Sequence, residues 1–465
     1  MFDIDLDKYK SNICLITEND EFTYSDIDSI CSGLEKLLPS SKQLILLKAK
    51  INIETIIGYL SFLRTNQATI ILDASIDEKL SLNIVKTYQP NLIWEEREES
   101  FEYLFSYRNY GLRKYNENTL NLNPKLSLML STSGTTGSPK MVKLTKENLY
   151  SNCNSITEYL NINKTHRAIT NLPLYYSYGI SVLNTHLAQG ASLVLTEKSI
   201  MAKEFWEIFK NHRVTSLSGV PYNYEIFRRI GLMKMELPSL RLMTQAGGKL
   251  NHKLVKEYAF WAKENDIKFV VMYGQTEATA RISYLPIEKT LEKEGSIGIP
   301  IPQGKLLLKD LNSNNIIDKN FVSGELLYKG KNIMMGYATN LNDLVKEDEL
   351  EGILHTGDIA YRDEEGYFYI TGRLKRFIKI YGNRVGLDEI EQFLKSEPYD
   401  VLCTGVDNKL MIVTHEKDKM EKIKKDVLRK YSFHHSVVKV KYMEEYPISS
   451  AGKIKYQEII KLFLS

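Results

Sequence analysis

The sequence is poor in everything that would mark a secreted, zinc-stapled or nucleic-acid-binding chain. It has four cysteines in 465 residues, Cys14, Cys31, Cys153 and Cys403, with no CxxC pair and no Cys/His spacing of a zinc site. That excludes a cystine scaffold, and the thiols are expected to be buried and reduced. Neither charge is in excess: Lys+Arg number 61 against 58 Asp+Glu, a net charge of +3, which leaves no broad footprint for DNA or RNA. The lysine cluster at 417–430 reads as a solvated helix face. The longest stretch without Asp, Glu, Lys or Arg, 168–196, is broken by Pro, Ser, Asn, His and Gln, so no membrane span is expected. The start, MFDIDLDKYK, has acids where a signal peptide needs a basic tip and an apolar run. A cytoplasmic protein without a membrane or nucleic-acid partner is the expectation. There is no repeat with a 20–50 residue period and no GxxxxGK[ST] loop.

Present instead is an ordinary globular mixture, 43% hydrophobic and 26% charged, on a chain long enough to bury a large core. Short β-rich runs alternate with helical spacing through the first half. Strands are expected at 44–47, 69–72, 192–196, 215–219, 240–244 and 268–272, with helices at 53–63, 205–211 and 253–264 between them. Such alternation predicts an α/β fold, a mostly parallel sheet covered by helices. After about residue 295, Gly and Pro punctuate short strands at 305–309, 324–328 and 367–371, as in a small β-rich lobe. A compact α+β tail follows, with helices at 387–395 and 417–431, strands at 401–406 and 409–414, and a turn at 447–453.

Residues 131–140 read STSGTTGSPK after an apolar run, 126–130, that has the pattern of a strand. Glycines let the backbone approach a phosphate closely, hydroxyls and N–H groups donate to it, and Lys140 adds a cation. On composition alone, a plain Ser/Thr/Gly surface loop is an equal reading. Further along stand Tyr273-Gly-Gln-Thr-Glu277, His355-Thr-Gly-Asp358, Gly372-Arg-Leu-Lys375, Ile378-Lys-Ile-Tyr-Gly382 and Pro447-Ile-Ser-Ser-Ala-Gly-Lys453. In spelling and order these motifs resemble those of the acyl-adenylate-forming superfamily, which includes acyl-CoA synthetases, nonribosomal peptide adenylation domains and beetle luciferases. The resemblance covers roughly residues 20–460.

The resemblance implies a fold and a set of roles. The fold is a large N-terminal domain of parallel-rich sheets, helices and a β-rich lobe (1–372), a hinge (373–376) and a small mobile C-terminal domain (377–465). The implied reaction joins a carboxylate to the α-phosphate of ATP and expels pyrophosphate. Two anions must then be screened and held in line. Thr132, Ser133, Gly134, Thr135, Thr136, Gly137 and Lys140 would cradle the phosphates. Thr276 would contact the α-phosphate and Glu277 would hold Mg²⁺. Gly247 and Gly248 would let the backbone lie against adenine and the acyl group. Tyr273 would stack on adenine beside Gly274 of the ATP site, Asp358 would hold the ribose, and Arg373 would contact ribose or phosphate.

Lys453 is expected to bridge the carboxylate and the α-phosphate, a stabilisation on the order of 3 kcal/mol. Lys375 falls at the hinge position, and Lys379 and Gly382 would approach the incoming thiol. A plain surface basic run over 373–379 is the alternative reading.

Tyr176 stands where amino-acid-activating members usually carry an Asp, and no carboxylate occurs between Leu160 and Glu197. An α-amino acid would leave its ammonium unpaired, so such substrates are disfavoured. Tyr176 either gates an acyl tunnel or is core. The acid pocket is expected around Tyr176, Tyr178, Gly219–Tyr222, Gly247–Lys249 and Thr279–Arg281, and its tyrosines and small residues suit a small or medium acid, hydroxylated and aromatic ones included. Arg281 either binds a second acidic group or forms a surface salt bridge. No carrier domain is seen, so the thiol is expected from CoA or from the phosphopantetheine of a separate carrier protein. The expectation is an AMP-forming ligase using MgATP, a carboxylic acid and CoA. The alternative is an adenylation enzyme that loads a carrier protein or an amine. A catalytically silent nucleotide-binding regulator is disfavoured, because no motif is broken.

Overall fold

The computed structural model describes residues 6–131, 140–374, 376–381, 383–397, 399–448 and 454–464. The chain divides into two compact units. The first comprises Met1–Glu294, Gly298–Lys305 and Lys329–Leu354; the second comprises Gly295–Ile297, Leu306–Tyr328 and His355–Ser465.

Two sheets build the first unit. In one, strands Leu44–Ala49, Ala68–Asp73, Leu92–Glu96 and Leu126–Ser131 run parallel at the centre. Met141–Thr145 and Gly336–Ala338 close one side antiparallel, and Tyr110–Lys114 with Phe105–Tyr107 close the other. The central strands read as unbroken apolar runs because both faces are covered. In the second sheet, Arg167–Ile169, Ser192–Val194, Ser216–Gly219, Leu242–Gln245 and Lys268–Tyr273 run parallel. Ser283–Tyr284 and Ile299–Pro300 extend it antiparallel beyond Lys268–Tyr273.

Helices Tyr24–Glu35, Ile53–Arg64 and Ser177–Ala188 contribute to a core shared with strands of both sheets. Ile53–Arg64 is buried from Ile53 through Leu63, and most of its residues are accordingly apolar. Asn52 starts it by accepting from the Thr55 amide. Thr23 and Asp26 cap the start of Tyr24–Glu35 reciprocally. All four cysteines are free and buried, as their sequence context predicts.

The second unit carries the sheet Lys305–Lys309, Gly324–Lys329, Ile353–Arg362 and Phe368–Arg373. A hairpin, Phe377–Ile380 with Asn383–Gly386, leads into helix Leu387–Ser396. Strands Val401–Val406, Lys409–Thr414 and Val438–Tyr442 form its last sheet. Helices Leu387–Ser396 and Met420–Tyr431 pack there around Ile390, Leu394, Ile423 and Val427. The helix expected over 417–431 begins at Met420, because Lys417–Lys419 forms a tighter 3-10 turn. No helix among the described residues is long and apolar enough to cross a membrane.

Candidate functional site

Parallel strands of the second sheet end together, and their C-terminal ends carry several of the expected nucleotide and acid residues. Gly219 ends Ser216–Gly219, Gly247 and Gly248 follow Leu242–Gln245, and Tyr273 ends Lys268–Tyr273. Open α/β sheets bind ligands at this edge.

The chain turns sharply after Tyr273. A Cβ on Gly274 would lie 1.8 Å from the Ala280 carbonyl oxygen, so only glycine lets the two backbones pass. Thr276–Ala278 forms one 3-10 turn, followed by Thr279 and Ala280 at positive φ. A second segment ties this turn down. The Asn332 amide donates to the carbonyls of Ala278 and Arg281 at 2.7 and 2.8 Å. Thr279 Oγ1 donates to the Asn332 carbonyl, and the Met334 amide donates to the Glu277 carbonyl.

Two expected residues thereby become fixed. Thr276 Oγ1 lies 3.2 Å from Ser177 Oγ, at the start of helix Ser177–Ala188. Glu277 Oε1 accepts from the Tyr337 hydroxyl at 2.8 Å. Burial and the Glu277 charge beside it push that hydroxyl well above the usual tyrosine range. Lys140 Nζ lies 3.4 Å from the centroid of the Tyr337 ring, a cation–π contact. Lys140 and Glu277 thus meet on one tyrosine, a carboxylate at its hydroxyl and an ammonium over its face. Sequence reasoning missed Tyr337, Ser177 and Asn332; no motif marks them, and they are set by long-range pairing.

Tyr176 is buried and precedes helix Ser177–Ala188 at its N-cap. A Cβ on Gly247, whose φ is +86°, would lie 2.8 Å from the Tyr176 hydroxyl. Gln245 fixes the following residue by donating to the Gly248 carbonyl at 2.9 Å. The Gln275 amide donates to the Tyr273 hydroxyl at 3.2 Å. Lys249 is exposed. Arg281 is buried, only 3% exposed, and its guanidinium lies 3.9 Å from the Tyr178 ring centroid. The surface salt bridge offered for Arg281 on sequence grounds is therefore excluded.

In the second unit, Asp358 and Arg373 are direct cross-strand neighbours, and Arg373 Nε reaches Asp358 Oδ1 at 2.9 Å. Asp358 is buried while Arg373 is largely exposed. The Asp358 amide donates to Thr356 Oγ1, which donates in turn to the Leu326 carbonyl. Just past this pair, the Arg376 guanidinium bonds Asp388, Glu391 and the Cys403 carbonyl and lies over the Tyr456 ring. Lys379 sits exposed in the hairpin, its amide donating to Asp407. Thr132, Ser133, Gly134, Thr135, Thr136, Gly137, Lys375, Gly382 and Lys453 lie outside the described residues.

A protein-family model for AMP-binding enzymes matches residues 5–338. The chain is 30% identical over 376 residues to a luciferin 4-monooxygenase of Photuris pensylvanica, across 76% of this chain and 67% of that one. It is 31% identical over 279 residues to an oxalate–CoA ligase of Arabidopsis thaliana, across 58% of this chain and 52% of that one. It is 31% identical over 295 residues to a 2-succinylbenzoate–CoA ligase of Bacillus pumilus, across 63% of this chain and 58% of that one. The matches thus span between 52% and 67% of those relatives' lengths. Among solved structures, o-succinylbenzoate CoA synthetase of Bacillus subtilis in complex with AMP matches with TM-score 0.78 at 20% identity, covering 98% of this chain and 97% of that one. The same synthetase with ATP and magnesium matches with TM-score 0.75 at 19% identity, covering 98% of each chain. At these identities the likeness is one of fold.

Proposed function

We propose, from the premise that this chain belongs to the AMP-binding enzyme family, that it is an AMP-forming acid–thiol ligase. A carboxylate oxygen attacks the α-phosphorus of ATP, pyrophosphate leaves, and the acyl-adenylate forms. A thiolate then attacks the acyl carbon and AMP departs. CoA is the preferred thiol; relatives named as oxalate–CoA and 2-succinylbenzoate–CoA ligases support that choice.

The observation that carries this reading is the joint hold of Tyr337 on Glu277 and Lys140. A phosphate-handling site needs a fixed carboxylate for a metal and a fixed cation for the phosphates. Glu277 fits magnesium: its oxygens are hard acceptors, and nucleotide-bound magnesium takes one or two carboxylates besides phosphates and waters. Magnesium bound there would neutralise phosphate charge. In this reading Thr276 donates to the α-phosphate, oriented by Ser177, and Asp358 with Arg373 holds the ribose. Tyr273, Gly274, Gly247 and Gly248 form the adenine and acyl wall. The loop 132–137 cradles the phosphates and Lys453 bridges the two reactants. Residues 1–372 act as the ATP- and acid-binding domain. The hinge at 373–376, centred on Lys375, lets 377–465 present Lys453 first and the Lys379–Gly382 thiol path second. Gly219, Tyr176 and Lys249 line the acyl side.

ATP–pyrophosphate exchange in the absence of any thiol tests the first half-reaction. Exchange should require both magnesium and a carboxylic acid. Exchange that proceeds equally without acid contradicts adenylation of a carboxylate.

A further inference from the structure

The turn Thr276–Arg281 and the start of helix Ser177–Ala188 meet twice. Ser177 and Thr276 touch at the site described above. One layer on, Tyr178 and Arg281 touch at 3.9 Å and line a cavity of about 20 Å³, room for a water-sized group or the tip of a ligand. Its other polar walls are Ser181, Thr185, His186, Ser216, Ser218 and Thr244. These are hydroxyls and an imidazole that burial holds neutral, at about 4. No carboxylate is among its lining residues.

Arg281 is the charged group of this cavity, and its charge is not neutralised there. It bonds the Ala280 carbonyl at 3.2 Å and Met272 Sδ at 3.4 Å, and among the described residues no carboxylate forms a salt bridge with it. The Tyr178 ring covers one face of the guanidinium, while the Tyr178 hydroxyl is occupied by Thr244. Burying a cation is costly unless an anion accompanies it, and a guanidinium is shaped to receive a carboxylate through two parallel bonds.

We propose that Arg281 is a specificity residue which pairs a second carboxylate on the acyl substrate, so that the enzyme selects dicarboxylic acids. One carboxylate would be activated beside Thr276, and the other would end in the Arg281 cavity among Ser218, Ser216 and Thr244. This inference rests on the adenylation reading and narrows its substrate class.

The test measures kcat/KM for ATP–pyrophosphate exchange by the full-length protein with succinate, glutarate, adipate and phthalate. Each is set against its monocarboxylate twin, butyrate, valerate, hexanoate and benzoate. At least one dicarboxylate should exceed its twin by tenfold or more, mainly through KM. In Arg281→Gln that ratio should fall toward one, with retained thermal unfolding confirming the fold. A wild-type preference for the monocarboxylate in every pair overturns the proposal, whether or not the variant folds. So does a ratio unchanged in a folded Arg281→Gln protein. Exchange with none of the eight acids counts instead against the adenylation reading, and the inference falls with it.

Discussion

The Tyr337 hydroxyl holds Glu277 at 2.8 Å across 60 residues of sequence. It fixes the orientation of the carboxylate that the proposed mechanism gives to magnesium, while the ring beneath Lys140 fixes the cation.

Removing only that hydroxyl separates the two jobs. Tyr337→Phe keeps the ring under Lys140 but frees Glu277. A hydrogen bond to a charged group contributes about 1.5–3 kcal/mol, so kcat/KM for MgATP should fall by roughly tenfold to a hundredfold. Steady-state kinetics over a magnesium titration checks this, and wild-type magnesium dependence would show that Glu277 needs no such support.

Gly274 permits the reversal that presents Thr276. A methyl there meets the Ala280 carbonyl oxygen at 1.8 Å, so Gly274→Ala should lose more than about 2 kcal/mol of stability, as backbone clashes of this kind do. Urea unfolding measures the loss; an unchanged midpoint would mean that the turn can open without cost.

Acid should weaken the first unit through His186. Burial holds its imidazole down to about 4, against the opposing bond with the Val182 carbonyl, and His166 lowers it further. His166 itself is pulled down, chiefly by burial. The unfolded chain takes up the His186 proton near its ordinary value of about 6.5, so between those values it binds more protons than the folded one. The contribution is therefore complete above about pH 6.5 and is lost as pH falls toward 4, on the order of 3 kcal/mol in all. His186→Gln should flatten the fall in urea midpoint between pH 7 and pH 5. An equally steep fall in the variant would locate the acid sensitivity elsewhere.

Lys453→Ala should lose most acid-dependent exchange while keeping ATP binding, because the proposed lysine acts on the reacting groups. Calorimetric titration with ATP reads the second property, and wild-type exchange in the variant would remove Lys453 from the mechanism. Lys375→Pro should slow adenylation and thioester formation unequally, since a fixed φ restricts the proposed hinge. Equal slowing of both steps would argue against a hinge at that position.

Much of the architecture was readable from local pattern. Strands Val401–Val406 and Lys409–Thr414 fall where apolar runs with β-branched residues predict them, and helix Ile53–Arg64 follows its continuous apolar spacing. Thr276 and Glu277 stood out because their motif is contiguous. Tyr337 and Asn332 did not, because nothing nearby in the chain marks them, and Ser177 went unassigned between the flagged Tyr176 and Tyr178; the partners of all three are 51 to 99 residues away. The fate of Arg281 was likewise undecidable from sequence. A surface ion pair and a buried cation need the same residue, and only the packing of Tyr178 and Met272 around it distinguishes them.

The most direct test of the proposed ligase follows AMP, pyrophosphate and acyl thioester together, with MgATP, CoA and the best acid from the exchange panel. The account predicts one AMP and one pyrophosphate for each acyl-CoA formed, and adenylate that accumulates when CoA is withheld. ADP and phosphate as products, or pyrophosphate release that neither consumes CoA nor requires acid, would contradict it.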